Sequence, residues 1–363
     1  MTLIPVRVGL QQRVFPDYRA PFFNLLAQSC PQGFSLFSGL PRPEEAISIS
    51  DHLENGQYQR GVNMHISRGR VYFCMQSGLL DWLELWQPQV LIVEANPRYL
   101  STPAAVRWMH ARKRPVLGWG LGAPDKGRLN QALRLPFLKS LDGMISYSQA
   151  GAEQYAACGV DPNTIFVAAN AAASKPARPA PQRPVDFENG KARLLFVGRL
   201  QERKQLDRLF KALAALPRSQ QPELTVVGDG PDRARLEAVA ASLYPSTLFT
   251  GAKHGAELDA FFDQADLFVL PGTGGLAVQQ AMAHALPVIV GQADGTQGEL
   301  VRPENGWVLA SSDLESLTSA LENALSDAAR LRQMGLASYR IVAEEVNLEN
   351  MVAAFARAIG AVI

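Results

Sequence analysis

Two stretches decide how this chain is read: Leu194-Leu195-Phe196-Val197-Gly198-Arg199-Leu200 with Lys204 close behind, and Val226-Val227-Gly228-Asp229-Gly230-Pro231. Each is an apolar run that ends in glycine and leads into a helical pattern with charge at its mouth. A short apolar run closed by glycine reads as a buried strand of a parallel sheet. In an open α/β sheet, ligands sit outside the carboxyl ends of the strands, where the next helix offers unpaired N–H groups and a partial positive charge. That edge suits phosphate. Arg199 and Lys204 add two full charges to it.

Working outward, strand-like runs at 193–198, 223–228, 247–250, 266–270, 286–290 and 307–309 alternate with helical patterns at 204–216, 232–243, 255–264, 275–284 and 313–326. Towards the amino end, runs at 6–12, 34–38, 71–75, 89–95, 115–120, 142–148 and 165–169 alternate with helices at 18–29, 78–87, 102–113, 128–141 and 149–158. Such alternation predicts βαβ units and parallel sheets. Between them Pro176, Pro179, Pro181 and Pro184 fall close together, a linker composition. The expected fold is α/β, with two Rossmann-like parallel-sheet domains facing across a cleft. The boundaries read as 1–175, a Pro-rich linker at 176–191, a nucleotide-binding domain at 192–327, and helices at 328–363 that either stay with it or return to the first domain. The last stretch carries Met351, Ala354, Phe355, Ala358 and Ile359 at helical spacing.

Composition narrows the function. The 363 residues are 47% hydrophobic and 19% charged, enough for sizeable cores. A net charge of +1 argues against nucleic acid as a partner, since duplex binders show a basic stripe. Cys30, Cys74 and Cys158 are widely spaced, which suits neither disulfides nor zinc. The opening residues lack an apolar leader core, and no apolar run is long enough to span a bilayer. A cytoplasmic location is expected, with peripheral contact at the inner face of the membrane as its variant.

The ordered set Val197-Gly198-Arg199-Leu200-x-x-x-Lys204, Gly228-Asp229-Gly230-Pro231, Phe249-x-Gly251, Ala265-Asp266-Leu267-Phe268-Val269-Leu270-Pro271 and Ala281-Met282-Ala283-x-x-x-Pro287-Val288-Ile289 resembles the donor domain of the family 4 retaining glycosyltransferases, which have the GT-B architecture. The resemblance implies transfer of a sugar from a nucleotide-diphosphate donor to a glycan or lipid-linked acceptor, without a bound cofactor or metal. It implies that Arg199 and Lys204 hold the diphosphate. Two preorganised cations there would stabilise the charge that develops as the diphosphate departs. Surface pairing with Glu202 or Asp207 is the plainer alternative. Donor contacts are further implied at Gly198, Gly228, Gly251, Lys253 and Gln280; the small-residue turn Gly272, Thr273, Gly274 and Gly275, leading into Leu276, reads as an anion cradle or as a tight connection needing positive φ, and Asp294 or Thr296 in the loop after the next strand is placed to reach sugar hydroxyls. Asp229 reads instead as a turn residue, with Pro231 opening the next helix.

The chain departs from the family pattern in three places. Of the two glutamates expected eight residues apart, the first falls at Gly272 and the second at Gln280, whose amide can still accept from a ribose hydroxyl. The turn after Pro271 is shortened. The histidine expected at the end of strand 115–120 is absent, the sequence there being Gly118-Trp119-Gly120. His52, His65, His110, His254 and His284 are scattered and read as packing or surface residues.

On the amino-terminal side, Gln11 to Arg19 and Glu94 to Tyr99 follow strands and cluster polar and aromatic groups. Arg13, Tyr18, Arg19, Asn96, Arg98 and Trp119 are the acceptor candidates. Glu94 and Asp17 are the carboxylates available for proton transfer, against capping or pairing with Arg98 or Arg19. Segment Lys126 to Lys139 alternates Arg128, Arg134 and Lys139 with leucines and Phe137. It reads as an amphipathic helix packed on the sheet, or as a contact with an anionic membrane. The rivals to transfer are a sugar-nucleotide epimerase or phosphorylase of the same architecture, a non-catalytic homologue, and a two-domain small-molecule binder.

Overall fold

The computed structural model describes residues 3–45, 47–68, 71–123, 128–274, 276–291 and 297–363. The chain forms two compact units, one of Met1–Ala172 with Leu348–Ile363 and one of Ala173–Asn347.

In the first unit the strands are β1 (Val8–Val14), β2 (Phe34–Gly39), β3 (Gln57–Arg60), β4 (Val62–Arg68), β5 (Val71–Ser77), β6 (Val90–Glu94), β7 (Val116–Gly120), β8 (Gly143–Ser146) and β9 (Ile165–Val167). Seven of them form a parallel sheet in the order β3-β2-β1-β6-β7-β8-β9. Val90 to Val93 are fully buried, as a strand covered by helices on both faces requires. The run at 71–75 reads as one more strand of the parallel series, but β5 pairs antiparallel with β4 outside that sheet. Only two residues separate Arg68 from Val71, far too few for a parallel crossover.

The second unit holds β10 (Arg193–Val197), β11 (Glu223–Val227), β12 (Thr247–Gly251), β13 (Leu267–Leu270), β14 (Val288–Val290) and β15 (Gly306–Val308), all parallel, in the order β12-β11-β10-β13-β14-β15. The strand order reverses at β10, so β10 and β13 diverge at a switch point. A doubly wound sheet opens its binding crevice there. In the first unit the equivalent point lies between β1 and β6.

The stretch 328–363 divides between the units. Helix Ala328–Arg340 stays with the second, while helix Leu348–Gly360 belongs to the first. The latter's apolar stripe explains its place, because Phe355 packs on Phe22 and Trp119 with ring centroids 5.0 and 5.1 Å away. The proline-rich stretch 176–191 lies in the second unit and is tied to it. The Arg183 guanidinium donates to the carbonyls of Phe262, Ala265 and Ala285, Tyr339 donates to the Arg178 carbonyl, and Arg332 to that of Pro184.

Candidate functional site

At the switch point of the second unit, three glycines end adjacent strands. The Gly198 N–H donates to the Val227 carbonyl, and the Gly228 N–H to that of Gly251. A Cβ at Gly228 would lie 2.0 Å from the Gly198 oxygen, so only glycine allows the strand ends to approach this closely. Beyond β10 the chain makes a short turn at Glu202–Lys204 and passes through Gln205 in the left-handed region (φ +57°) into helix Leu206–Ala215. This path carries Lys204 back beneath the loop that follows β13.

There Lys204 is buried, and its Nζ donates to the Thr273 carbonyl at 2.7 Å. Among the described residues no carboxylate pairs with it, so the alternative of a surface pair with Glu202 or Asp207 does not hold for this side chain. Burial, reinforced by the neighbouring Arg203 charge, pulls its ammonium down to about 8. The two loops are joined again where the Thr273 N–H donates to the Arg203 carbonyl and Arg208 to the Pro271 carbonyl. Gly272 lies in this seam. A Cβ there would meet the Arg203 oxygen at 2.1 Å, which explains why no glutamate stands at this position.

Arg199 is exposed at the end of β10, and Gln280 is exposed on helix Leu276–Ala283. Lys253 pairs with Glu257 at 3.4 Å on the surface. Asp229 accepts from its neighbour Gly230 N–H and from Arg233, which is a turn role. Gly275, Asp294 and Thr296 lie outside the described residues.

Arg203 was not among the residues singled out in the sequence. One of its terminal nitrogens is 3.7 Å from where a Gly274 Cβ would sit, which puts it beside Lys204 as a second cation at the loop. The Arg203-Lys204 pair was its only signal, and an exposed arginine beside a glutamate reads as solvated surface.

In the first unit, the end of β1 and the loop after β6 meet at Glu94. Its carboxylate accepts from the Arg13 N–H and the Tyr99 hydroxyl, both at 2.9 Å. Burial raises its pKa, opposed by these two donors and by the Arg13 charge. Its partners are thus neither a helix end nor Arg98. The Arg13 guanidinium pairs with Glu45 at 2.8 Å. Behind them Gln76 donates to Asn63 and to the Gln12 carbonyl and accepts from Gln11, whose own oxygen accepts from the Glu94 N–H. Sequence reading missed this amide network because its members come from β1, β4, β5 and β6.

Asp17, Tyr18 and Arg98 are exposed, and Asn96 accepts from the Arg98 N–H. Two acceptor candidates turn inward instead. Arg19 is buried, with its guanidinium over the rings of Tyr18, Trp119 and Tyr147 and bonded to Asn170 and Ala171. Trp119 is fully buried among Phe22, Phe23, Tyr147 and Phe355, so it serves the core. Phe137 and Leu138 of helix Arg128–Lys139 pack with Met144, Tyr155 and Val160, the behaviour of a helix laid on the sheet. Residues 126 and 127 of that segment lie outside the described residues. His110 pairs with Asp142, His284 with Asp263, and His65 with Tyr72. Among the described residues no cluster of three or more His, Cys, Asp or Glu could hold a metal, and no helix is long and apolar enough to cross a membrane.

Residues 178–340 match the family model described as glycosyl transferases group 1. This segment is similar to a group 1 glycosyltransferase domain. The matched segment contains Arg199, Arg203, Lys204, Gly272 and Gln280, whereas every acceptor candidate lies outside it. The chain is 38% identical over 130 residues to a GDP-mannose-dependent alpha-mannosyltransferase of Mycobacterium tuberculosis, covering 35% of this chain and 32% of that protein. It is 30% identical over 146 residues to the sulfoquinovosyl transferase SQD2 of Arabidopsis thaliana, covering 39% and 28%. Matches to the first of these curated relatives thus span about a third of their length. Beyond the group 1 domain the likeness is structural. Anabaena Alr3699/HepE in complex with UDP superposes with a TM-score of 0.72 over 99% of this chain and 100% of that one, at 15% identity. The lipopolysaccharide outer core galactosyltransferase WaaB gives 0.65 over 96% and 98%, also at 15%. At such identity these matches establish the fold, which is GT-B.

Proposed function

We propose that this protein is a retaining glycosyltransferase that moves a sugar from a nucleoside-diphosphate sugar to a glycan or glycolipid acceptor. The observation that carries the reading is the buried Lys204 ammonium, bonded to the Thr273 carbonyl at the switch point, free of any carboxylate among the described residues, with Arg203 beside it. A buried cation without a counter-ion is costly, and an anionic ligand relieves that cost. In this reading Arg199 and Lys204 hold the diphosphate near the start of helix Leu276–Ala283.

Transfer proceeds on one face of the sugar. The bond from the anomeric carbon to the phosphate oxygen breaks, the bond to the acceptor oxygen forms on the same side, and the acceptor proton passes to the departing diphosphate. The cations stabilise the charge that grows on that leaving group. The polar loops at 11–19 and 94–99 of the first unit are assigned to the acceptor. Glu94 orders them through Arg13 and Tyr99.

Thermal stabilisation by UDP, GDP, dTDP and ADP tests the donor assignment. A ligand at about a hundred times its Kd adds about 2.7 kcal/mol to the folded state. One nucleotide is expected to raise Tm, and Lys204→Ala is expected to abolish the shift. The names of the relatives make GDP the first to try, and the UDP-bound fold neighbour makes UDP the second. No shift with any nucleotide would favour a non-catalytic homologue. Donor consumption without acceptor would favour an epimerase. The anomeric configuration of the product, read by NMR coupling, tests retention.

A further inference from the structure

The chain crosses between its two units twice, after Ala172 and after Asn347. One side chain touches the second-unit end of both crossings. Gln279 accepts from the Ala173 N–H at 3.0 Å through Oε1 and donates to the Val346 carbonyl at 2.6 Å through Nε2. It is only 1% exposed, and it belongs to the first turn of helix Leu276–Ala283, near whose start the diphosphate is assigned.

Its neighbours show that burial alone did not require an amide. Val278, Ala281 and Met282 are buried on the same helix and are apolar. A buried amide that finds no partner costs about 1–3 kcal/mol, and here both polar ends of the side chain are used. The second crossing is itself unusual backbone. Helix Ala328–Arg340 runs into a π-helical turn at Ile341–Glu345, a local form frequent at functional sites. The Val346 N–H closes on the Ile341 carbonyl, and the fully buried Asn347 donates to the carbonyl of Val342. The return segment is therefore tied by Gln279 at Val346 and by its own Asn347 back to Val342.

We propose that Gln279 is a positioning residue that links occupancy of the donor loop to the two chain crossings between the units. An anion gathered at the start of helix Leu276–Ala283 orders the helix's first turn. That order passes through one amide to Ala173 and Val346 without an intervening flexible segment. The inference rests on the donor assignment above, and the experiment separates failure of one from failure of the other.

Hydrogen exchange read by mass spectrometry on the full chain, with UDP or GDP as the probe, follows three sets of peptides: 198–204 with 271–276, 168–176, and 344–352. In the wild type, nucleotide is expected to slow exchange in all three. In Gln279→Met, which keeps length and burial but makes no hydrogen bonds, the loop peptides are expected to keep their response while the crossing peptides lose at least half of theirs. The nucleotide Kd is expected to stay within threefold of wild type. A purely structural role would raise exchange at the crossings with and without nucleotide alike, and would leave the nucleotide-dependent difference intact. Loop peptides that respond while the crossings never do, or crossings that respond equally in both proteins, would overturn the coupling and leave the donor assignment standing. If Gln279→Met does not fold, the wild-type arm still decides, since unresponsive crossings refute the link. Absence of any loop response to either nucleotide would overturn the donor assignment itself.

Discussion

Lys204 shows how a residue's neighbours set its chemistry. Its ammonium is drawn down to about 8 by burial and by Arg203, so it titrates close to physiological pH. The protonated form attracts phosphate, and it is the form present below that value. Nucleotide affinity is therefore expected to be level at lower pH and to fall as pH passes about 8, by up to about tenfold per unit. Calorimetric titration across that range checks it. Arg203→Gln removes a like charge, so the fall should begin at higher pH. Lys204→Ala is expected to lower the transfer rate by about 10²–10³-fold, the usual effect of removing one group that stabilises a developing anion. Steady-state rates at saturating donor measure this. Glu94 carries the opposite kind of shift, its pKa raised by burial. Its two accepted hydrogen bonds mean that Glu94→Gln turns one amide N–H towards a donor. The expected result is a stability loss of about 1–3 kcal/mol with nucleotide Kd unchanged, read from urea unfolding and titration.

The loops and helices carry constraints that no single residue shows. The loops after β10 and β13 are seamed by the Thr273 and Arg208 hydrogen bonds, with Gly272 at the closest approach. Restoring the family's glutamate by Gly272→Glu would drive a side chain into the Arg203 and Lys204 backbone. It is expected to destabilise the protein by about 1–3 kcal/mol and to weaken nucleotide binding, not to improve transfer. Urea midpoints and titrations decide between these outcomes. Helix Leu348–Gly360 presents the complementary case, where an apolar stripe finds its core far away in sequence. Phe355 is fully buried against Phe22 and Trp119. Phe355→Ala is expected to cost about 3–5 kcal/mol, measured by denaturant unfolding.

Two units with separate sheets and cores give the whole molecule an expected two-step unfolding. Calorimetry should resolve two transitions. Nucleotide should raise that of the second unit, and Phe355→Ala should lower that of the first. The alternation of apolar runs and amphipathic helices was enough to read two parallel α/β sheets, because strand and helix periods are local properties of the chain. The glycine-ended run at β10 likewise marked Arg199 and Lys204, since strand ends and helix starts adjoin in sequence. Other features were set by residues far apart in the chain. Arg19, after a strand, and Trp119, at the end of one, were read as acceptor contacts, and only packing against Phe355 and Tyr147 turned them inward. The prolines at 176–184 read as a linker between the two halves, and Arg183 binds the stretch to three carbonyls of the second unit. Of the adjacent pair Gln279 and Gln280, composition distinguishes neither. Helix orientation buries the first against the crossings and exposes the second. The sequence by itself determined most of the elements, the parallel arrangement of the two main sheets and the cationic strand end, though not the antiparallel pair β4-β5. Tertiary structure alone decided which polar side chains are held inside, because that depends on partners whose proximity exists only once the sheets and helices have packed.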